Sequence, residues 1–223
     1  MNSMHSRRHF LAGVGVFAVA GSAFAASSRK EEPEVGPAED LMREHGVLRR
    51  VIFVYREIGR RNDAREEVPL STLSSAAGII RRVIESYHEK LEEEFVFPRM
   101  EKAGKLTDLV KVLFTQHRAG RVLTDRILAI AKGKVADDAA RRELASALTS
   151  FIRMYEPHAA REDTDLFPAF HDLVGERAYR ELGEMFEERE KKVLGENGFE
   201  GAVKDVARFE EELGIHDLAR FTP

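Results

Sequence analysis

The chain has 223 residues, of which 43% are apolar and 33% are charged, a balance typical of one globular domain with a substantial core. Its formal net charge is −4, and it lacks the clustered basic face that a nucleic-acid-binding surface would need. The chain contains no cysteine, which excludes disulfides, iron–sulfur clusters, cysteine-type zinc sites and thiol nucleophiles. Any bound metal must therefore be held by histidine and carboxylate side chains.

The first 25 residues have the organisation of a targeting segment. Arg7 and Arg8 precede an uncharged stretch, residues 11–25, that ends in Ala-Phe-Ala. This pattern resembles a twin-arginine signal peptide that is cleaved before Ala26. The stretch is shorter than the roughly 18 to 20 apolar residues that span a bilayer. We therefore expect residues 1–25 to be removed, with no stable membrane insertion afterwards, and the mature protein to be periplasmic.

Residues 26–37 contain two prolines, several charges and few apolar side chains, which predicts a flexible linker. From Ala38 onward, apolar residues recur at helical spacing and no strand pattern competes with them. Gly104, Gly133 and Asp137 are plausible helix stop and cap signals. The pattern predicts four long helices, at 38–62, 71–103, 106–132 and 138–174.

Short connections between long helices imply antiparallel neighbours. The sequence therefore predicts an all-α fold, an antiparallel up-down-up-down four-helix bundle over residues 38–175. A C-terminal helical extension, residues 176–223, follows with amphipathic stretches at 176–194 and 199–213. We expect this extension to pack on the bundle or on a partner.

The second and fourth predicted helices carry the same motif, His-x3-Glu-x4-Phe-Pro. It reads HEKLEEEFVFP from His88 and HAAREDTDLFP from His158, 70 residues later. A second repeated position has a similar separation: His45 on the first helix and His117 on the third are 72 residues apart. The chain therefore reads as a duplicated helical hairpin in which each half supplies one histidine and then a histidine–glutamate pair.

Residues four apart on a helix project from the same face, so each His-x3-Glu pair can contact one metal region. The two single histidines fall on apolar faces of their helices and can reach the same region. Burying these groups without a partner would be costly, and a pair of divalent cations removes that cost. Imidazole and carboxylate ligands suit iron, manganese, zinc or nickel. The predicted ligands are His45, His88, Glu92, His117, His158 and Glu162.

This constellation resembles the hemerythrin-like (HHE cation-binding) family over residues 38–175. The resemblance implies a di-iron cofactor in which the two glutamates and a solvent-derived oxo or hydroxo group bridge two iron ions, with the histidines as terminal ligands. Manganese or zinc remains possible. It also implies binding or sensing of a small diatomic ligand, dioxygen or nitric oxide. The redox or signalling partner is not identified by the sequence.

The chain departs from the oxygen-carrying members of that family at two places. They have a further histidine four residues after the third-helix histidine, where this chain has Arg121. They use an aspartate five residues after the fourth-helix histidine, where this chain offers Asp163 beside Glu162. We favour Glu162 because it repeats Glu92. Glu89 could be a further ligand, but it points about 100° away from its neighbouring histidine on an ideal helix and is therefore interpreted as a solvated charge. Glu93 and Glu94, which follow Glu92, are interpreted in the same way.

Three further expectations concern the surroundings of the site. The aromatic residues near the predicted ligands are expected to be core residues, as aromatics at helical spacing usually are. Pro98 and Pro168 are expected to end or kink the helices just past the site. His171 and His216, which belong to no motif, are expected at the surface. The aromatic residues in question are Tyr87, Phe95, Tyr155 and Phe167.

Three classes of function fit these features. The favoured one is an exported di-iron protein that binds or senses a diatomic ligand and is not primarily an enzyme. The second is a di-iron enzyme that reduces peroxide or nitric oxide. The third is a metal-storage or purely structural bundle.

Overall fold

The computed structural model describes residues 35–223, and every regular element in this part of the chain is helical. The predicted all-α class is therefore confirmed. The predicted signal peptide, 1–25, and most of the predicted linker, 26–37, lie outside the described residues. None of the helices in residues 35–223 combines the length and the apolar character needed to cross a membrane.

Residues 35–223 contain six helices of two turns or more, and both ends of each helix lie within one residue of their predicted positions. Local signals explain this agreement. The Asp137 carboxylate accepts a 2.8 Å hydrogen bond from the Ala140 N–H at the start of the fourth helix. Gly104 ends the second helix region with a left-handed φ of 66°. The helices are α1 (Pro37–Asp63), α2 (Leu70–Lys102), α3 (Thr107–Ala131), α4 (Asp138–Leu173), α5 (Glu176–Leu194) and α6 (Gly198–Leu213).

Helices α2 and α4 are continuous but not uniform, because wider π-helical turns interrupt their α-helical geometry. These turns are Ile80–His88 and Glu92–Val96 in α2, and Glu162–Leu166 in α4. The last two begin at the glutamates of the duplicated motif, so the duplication extends to the backbone. Such turns are rare, and they occur frequently at functional sites.

The π-helical turns also explain how the helices pass through the motif prolines. The Phe97 N–H donates to the Glu92 carbonyl, and the Phe167 N–H donates to the Glu162 carbonyl, five residues back in each case. In a regular α-helix the proline ring would clash with the carbonyl four residues earlier, and the wider turn relieves that clash. Of the two predicted effects of these prolines, an end or a kink, a helix end is not found, since α2 continues to Lys102 and α4 to Leu173.

Polar contacts between helix ends show how the four long helices lie side by side. The Asn62 side-chain amide donates to the Arg141 carbonyl, and the Arg141 guanidinium donates to the Asn62 carbonyl, both at 3.0 Å. The end of α1 therefore lies beside the beginning of α4. Arg81 is paired with Asp125, so the beginning of α2 lies beside the end of α3.

The buried apolar side chains form two clusters, with a band of buried polar residues between them along α1, α2 and α4. On α1, one cluster contains Leu41 and the other begins at Val47, with His45 between them. On α2, Ile84 and Leu91 belong to different clusters and enclose His88. The fold therefore positions the predicted ligands in one layer of the core.

The C-terminal helices α5 and α6 pack on the bundle, which is one of the two arrangements predicted for them. The Tyr87 hydroxyl donates to the Phe186 carbonyl of α5 at 3.1 Å. Arg50 on α1 donates two hydrogen bonds to the Glu210 carboxylate of α6, at 2.9 and 2.6 Å. Phe209 of α6 belongs to the core cluster that contains most of the buried apolar side chains of α1.

Candidate metal centre

The structure brings all six predicted ligands together from α1, α2, α3 and α4. Their exposed fractions are 0% for Glu92, His117 and Glu162, 1% for His45 and His88, and 4% for His158. Four imidazoles and two carboxylates thus share one layer of the core, where each isolated charge would be strongly disfavoured.

The two glutamates lie at the centre and the Nε2 atoms of the histidines face them. The Glu162 carboxylate lies 3.3 Å from the Nε2 of His45 and 3.0 Å from that of His158. The Glu92 Oε2 lies 3.5 Å from the Nε2 of His88 and 3.3 Å from that of His117. Each carboxylate therefore reaches histidines of both halves of the duplicated chain.

The histidines form two pairs, each built from one half of the duplication. The ring centroids of His45 and His88 are 4.7 Å apart, and those of His117 and His158 are 5.1 Å apart. Within each pair, the potential ligand atoms of the two histidines and of Glu162 all lie within 4.8 Å of one another. The arrangement offers two adjacent cation positions with Glu162 common to both.

The inward-facing atoms have no other partner among the described residues. Both carboxylate oxygens of Glu92 and of Glu162 are buried without a hydrogen bond, as are the Nε2 atoms of His88 and His117. Buried polar groups in native proteins are nearly always satisfied, and unpaired ones call for an unplaced water or ion. The donor set, imidazole nitrogens and carboxylate oxygens, is the one that non-haem iron and similar cations take.

On its outer side, each histidine presents its Nδ1 to an oxygen of a neighbouring helix. His45 Nδ1 lies 2.7 Å from Asp163, and His88 Nδ1 lies 2.8 Å from Glu44. The corresponding distances are 3.2 Å from His117 Nδ1 to Glu93 and 2.9 Å from His158 Nδ1 to Gln116. An oxygen acceptor at Nδ1 fixes the proton there, which leaves the Nε2 lone pair of each histidine directed at the centre.

These outer contacts repeat the duplication of the chain. Glu44 directly precedes His45 and contacts the histidine of α2, while Gln116 directly precedes His117 and contacts the histidine of α4. Glu93 and Asp163 each follow a central glutamate and contact the single histidine of the other half. The approximate twofold symmetry of the site therefore includes four residues that sequence reasoning did not assign as outer partners. The sequence shows that Glu44 and Gln116 each directly precede a single histidine, but the contacts of both residues depend on how the helices pack.

Asp163 and Glu162 take different places in this arrangement. Glu162 is fully buried and faces three Nε2 atoms, whereas Asp163 lies on the outer side of His45 and is also paired with Arg49. The geometry is consistent with the preference for Glu162 and gives Asp163 an orienting contact.

The interpretation of Glu89 and Glu93 as solvated charges is wrong. Glu89 is 1% exposed and accepts a 2.8 Å hydrogen bond from the Tyr155 hydroxyl. Arg121 lies 2.7 Å from Glu89 and 2.6 Å from Glu93, and so compensates the charge of both. Glu94, by contrast, is exposed and pairs with Arg189 of α5. Arg121 thus occupies the position of the missing histidine without turning toward the centre.

The aromatic residues fill the apolar walls of the site. Phe167 stacks on His45 with centroids 5.7 Å apart, and Phe97, its counterpart in the other motif, stacks on His117 at 5.3 Å. Tyr87, Tyr155 and Phe167 are buried as predicted, and Phe95 is half-buried. His171 and His216 are exposed, also as predicted.

Tyr155 reaches Glu89 only because α3 has a glycine where the two helices approach. A Cβ atom at Gly120 would stand 2.0 Å from the Tyr155 hydroxyl oxygen. We expect Gly120→Ala to destabilise the protein by about 1–3 kcal/mol, because the added methyl overpacks the core. Urea unfolding followed by circular dichroism measures the change.

Gly78 on α2 is the matched control, since a Cβ atom there has no neighbour within 4 Å. Gly78→Ala should stabilise the protein by about 0.5–1 kcal/mol, the usual gain for this change inside a helix. Equal stability of the two variants would contradict the close approach of Tyr155 to α3.

Proton and charge distribution in the cluster is uneven. Burial raises the pKa of Glu92 to about 8, and the neighbouring Glu162 adds to the effect. Burial also acts on Glu162, but His158 and the other imidazoles outweigh it and hold its pKa well below the usual range. Burial alone would lower the pKa of His45, yet its contacts with Asp163 and Glu162 raise it to about 9. A cation entering the cluster would displace the protons held on Glu92 and His45.

Comparison with known proteins agrees with this picture. The family described as "Hemerythrin HHE cation binding domain" matches residues 36–170, and a second, overlapping match covers residues 108–216. The second match starts in α3 and extends through α6. No solved structure matches the chain.

Two relatives share most of the sequence. The uncharacterized protein Mb2018 of Mycobacterium bovis and the uncharacterized protein Rv1995 of Mycobacterium tuberculosis are each 51% identical over 195 residues. The alignment covers 87% of this chain and 76% of each relative. With the match over residues 36–170 and the cluster of four histidines and two glutamates, the chain belongs to the hemerythrin HHE cation-binding family.

Proposed function

We propose that this chain is an exported non-haem di-iron protein that binds or senses dioxygen or a related diatomic ligand. The observation that carries the proposal is the convergence of four Nε2 atoms on two buried carboxylates that have no other hydrogen-bond partner in residues 35–223. Family membership favours iron as the cation.

In this proposal each histidine pair would hold one iron ion, and both glutamates would serve as ligands between the pairs. His45 and His88 would hold one ion, and His117 and His158 would hold the other. Glu162 is within reach of both pairs, and Glu92 faces His88 and His117. Bound iron supplies reversible redox chemistry and an acceptor for a small ligand. Two histidines and two bridging carboxylate oxygens per ion leave coordination positions open, and the burial of all six residues restricts the site to small molecules.

The finer fold and the cellular location are part of the same proposal. The contacts between α1 and α4 and between α2 and α3 support the up-down-up-down four-helix bundle. The twin-arginine pattern at Arg7 and Arg8 supports export to the periplasm by the twin-arginine route. Mass spectrometry of the exported protein should find an N-terminus at Ala26. Export would be contradicted if the protein were found only in the cytoplasm, with residues 1–25 still attached.

Metal analysis combined with spectroscopy tests the central claim. Protein produced with iron available and purified anaerobically should contain two iron ions per chain, and its Mössbauer spectrum should show a magnetically coupled pair. Admitting and then removing dioxygen, or adding nitric oxide, should change the visible absorption. Near-zero iron in folded protein would support a structural or storage bundle instead. Two bound irons whose absorption responds to neither gas would contradict the proposed binding of dioxygen or nitric oxide.

The open coordination positions also favour a second candidate, a di-iron enzyme that reduces peroxide or nitric oxide. Repeated turnover with an electron donor, lost when Glu92 is replaced by alanine, would support the enzyme. Binding of a single equivalent of ligand without turnover would exclude it.

A further inference from the structure

Helix α3 has an outer face that no other element of residues 35–223 covers. On this side Val112 is 52% exposed and Val122 is 67% exposed, whereas the opposite side of the helix is buried in the bundle. The C-terminal helices contact the bundle elsewhere, as in the 3.0 Å hydrogen bond from Thr72 of α2 to Glu212 of α6. Exposed apolar side chains that share one face mark an interaction surface more often than scattered ones do.

The residues of this outer face follow the spacing of a coiled-coil seam. Successive positions are separated alternately by four and three residues, and the seam extends about 27 Å along the helix axis. Its middle is uncharged and its two ends carry opposite charges. A helix with such a seam can pack against a second helix along its length. The seam consists of Asp108, Val112, Thr115, Ala119, Val122 and Arg126.

The seam is complementary to itself when two copies of α3 lie antiparallel. A twofold axis at the level of position 117 places each seam residue beside the residue equally far on the other side of that position. Val112 then lies beside Val122 of the partner subunit, and Thr115 lies beside Ala119 of the partner subunit. The uncharged layers of the seam thus meet only one another.

The charged residues of the outer face support the same arrangement. Asp108 lies beside Arg126 of the partner subunit, and Lys111 lies near Asp125 of the partner subunit, so that four pairs of opposite charge flank the apolar layers. A parallel arrangement would place each of these charges beside its own copy. Within one chain the same side chains take part in surface ion pairs, which contribute little to stability and can exchange partners. Arg118 is the one charged residue of this face that meets its own copy, and its exposed side chain can extend into solvent.

We propose that the protein forms a homodimer in which the outer face of α3 packs antiparallel against the same face of a second copy. The seam lies on the side of α3 opposite the buried His117, so the dimer leaves the candidate metal centre enclosed. Dimer formation depends neither on the proposed function nor on a bound metal.

Sedimentation equilibrium of the full chain over a wide range of protein concentrations measures the dissociation constant of the dimer. Val122→Lys should abolish dimer formation, because it places two positive charges in the apolar layers of the seam. Leu218→Lys is the matched control, since it makes the same change at a side chain that is 77% exposed outside α3, and it should leave the dissociation constant unchanged. Circular dichroism confirms that both variants are folded. The proposal is overturned by a protein that stays monomeric at every concentration, or by a dimer that Val122→Lys leaves intact. In either case residues 1–34 or a different protein would have to cover the face.

Exchange of the end charges tests the antiparallel arrangement. Arg126→Glu places two acidic residues at each end of the seam and should weaken the dimer about tenfold or more, since like charges then face each other. Adding Asp108→Lys to this variant restores opposite charges at both ends and should return the dissociation constant toward that of the unmodified protein. If the second substitution brings no recovery, Asp108 and Arg126 do not meet, and the antiparallel arrangement is overturned.

Discussion

Glu162→Gln is expected to reduce bound iron from two ions per chain to one or none. Glu162 is the carboxylate whose oxygens lie with the histidine nitrogens of both cation positions, at 3.3 Å from His45 and 3.0 Å from His158. A glutamine offers one weaker acceptor oxygen and no charge, so it cannot bridge two cations. Elemental analysis after iron loading and desalting measures the loss.

Asp165→Asn is the matched control, because it makes the same chemical change in the same π-helical turn. Asp165 pairs with Arg161 at the surface side of α4 and does not face the histidines. That variant should retain two irons. If the Glu162→Gln protein also bound two irons, Glu162 could not be the ligand that both cation positions share.

A metal-free protein that unfolds on loss of Glu162 would leave the cause of iron loss ambiguous, and Glu92→Gln resolves this. Both oxygens of Glu92 lack a hydrogen bond, and burial raises the pKa of this carboxyl to about 8. Because this pKa is higher in the folded than in the unfolded state, the free energy of unfolding of the metal-free protein falls as the pH rises from about 4.5 to about 8, and the buried carboxyl opposes folding over that range. Glu92→Gln should therefore lose iron yet unfold no more easily than the unmodified metal-free protein.

The helices and the six candidate residues could be predicted because they depend on local or repeated signals. Apolar periodicity and residues such as Asp137 and Gly104 fix the helix ends within the segment itself. The His-x3-Glu spacing fixes a shared face by helix geometry alone, and its repetition at 88 and 158 makes chance unlikely to explain it.

The outer contacts could not be predicted, because they depend on the register between helices. The angle of Glu89 to His88 on an ideal helix predicts a solvated side chain, but α3 covers that side and supplies Arg121 as its partner. The acidic run likewise predicts a solvated Glu93, but His117 and Arg121 of α3 contact its carboxylate. The π-helical turns could not be predicted either, since an i to i+5 hydrogen bond leaves no mark in apolar periodicity, and Pro98 by itself indicates only a helix end or a kink.

Removal of the bound metal is expected to lower the melting temperature markedly. A ligand that binds only the folded state at 1,000 times its dissociation constant stabilises that state by about 4 kcal/mol. For a domain of this size, such a change corresponds to a shift of roughly 8–16 °C. Calorimetry of the iron-loaded protein before and after anaerobic treatment with a chelator measures the shift.

The site itself explains why the effect should be large. Without a cation, two fully buried carboxylates share one layer of the core with four imidazoles, and the oxygens of Glu92 and Glu162 lack hydrogen-bond partners in the described part of the chain. With a cation pair, the same groups become ligands and their desolvation is compensated. The Glu162→Gln protein should show a much smaller chelator-dependent shift, or none where it retains no iron. An equal shift in both proteins would mean that the stabilising metal binds somewhere other than between these helices.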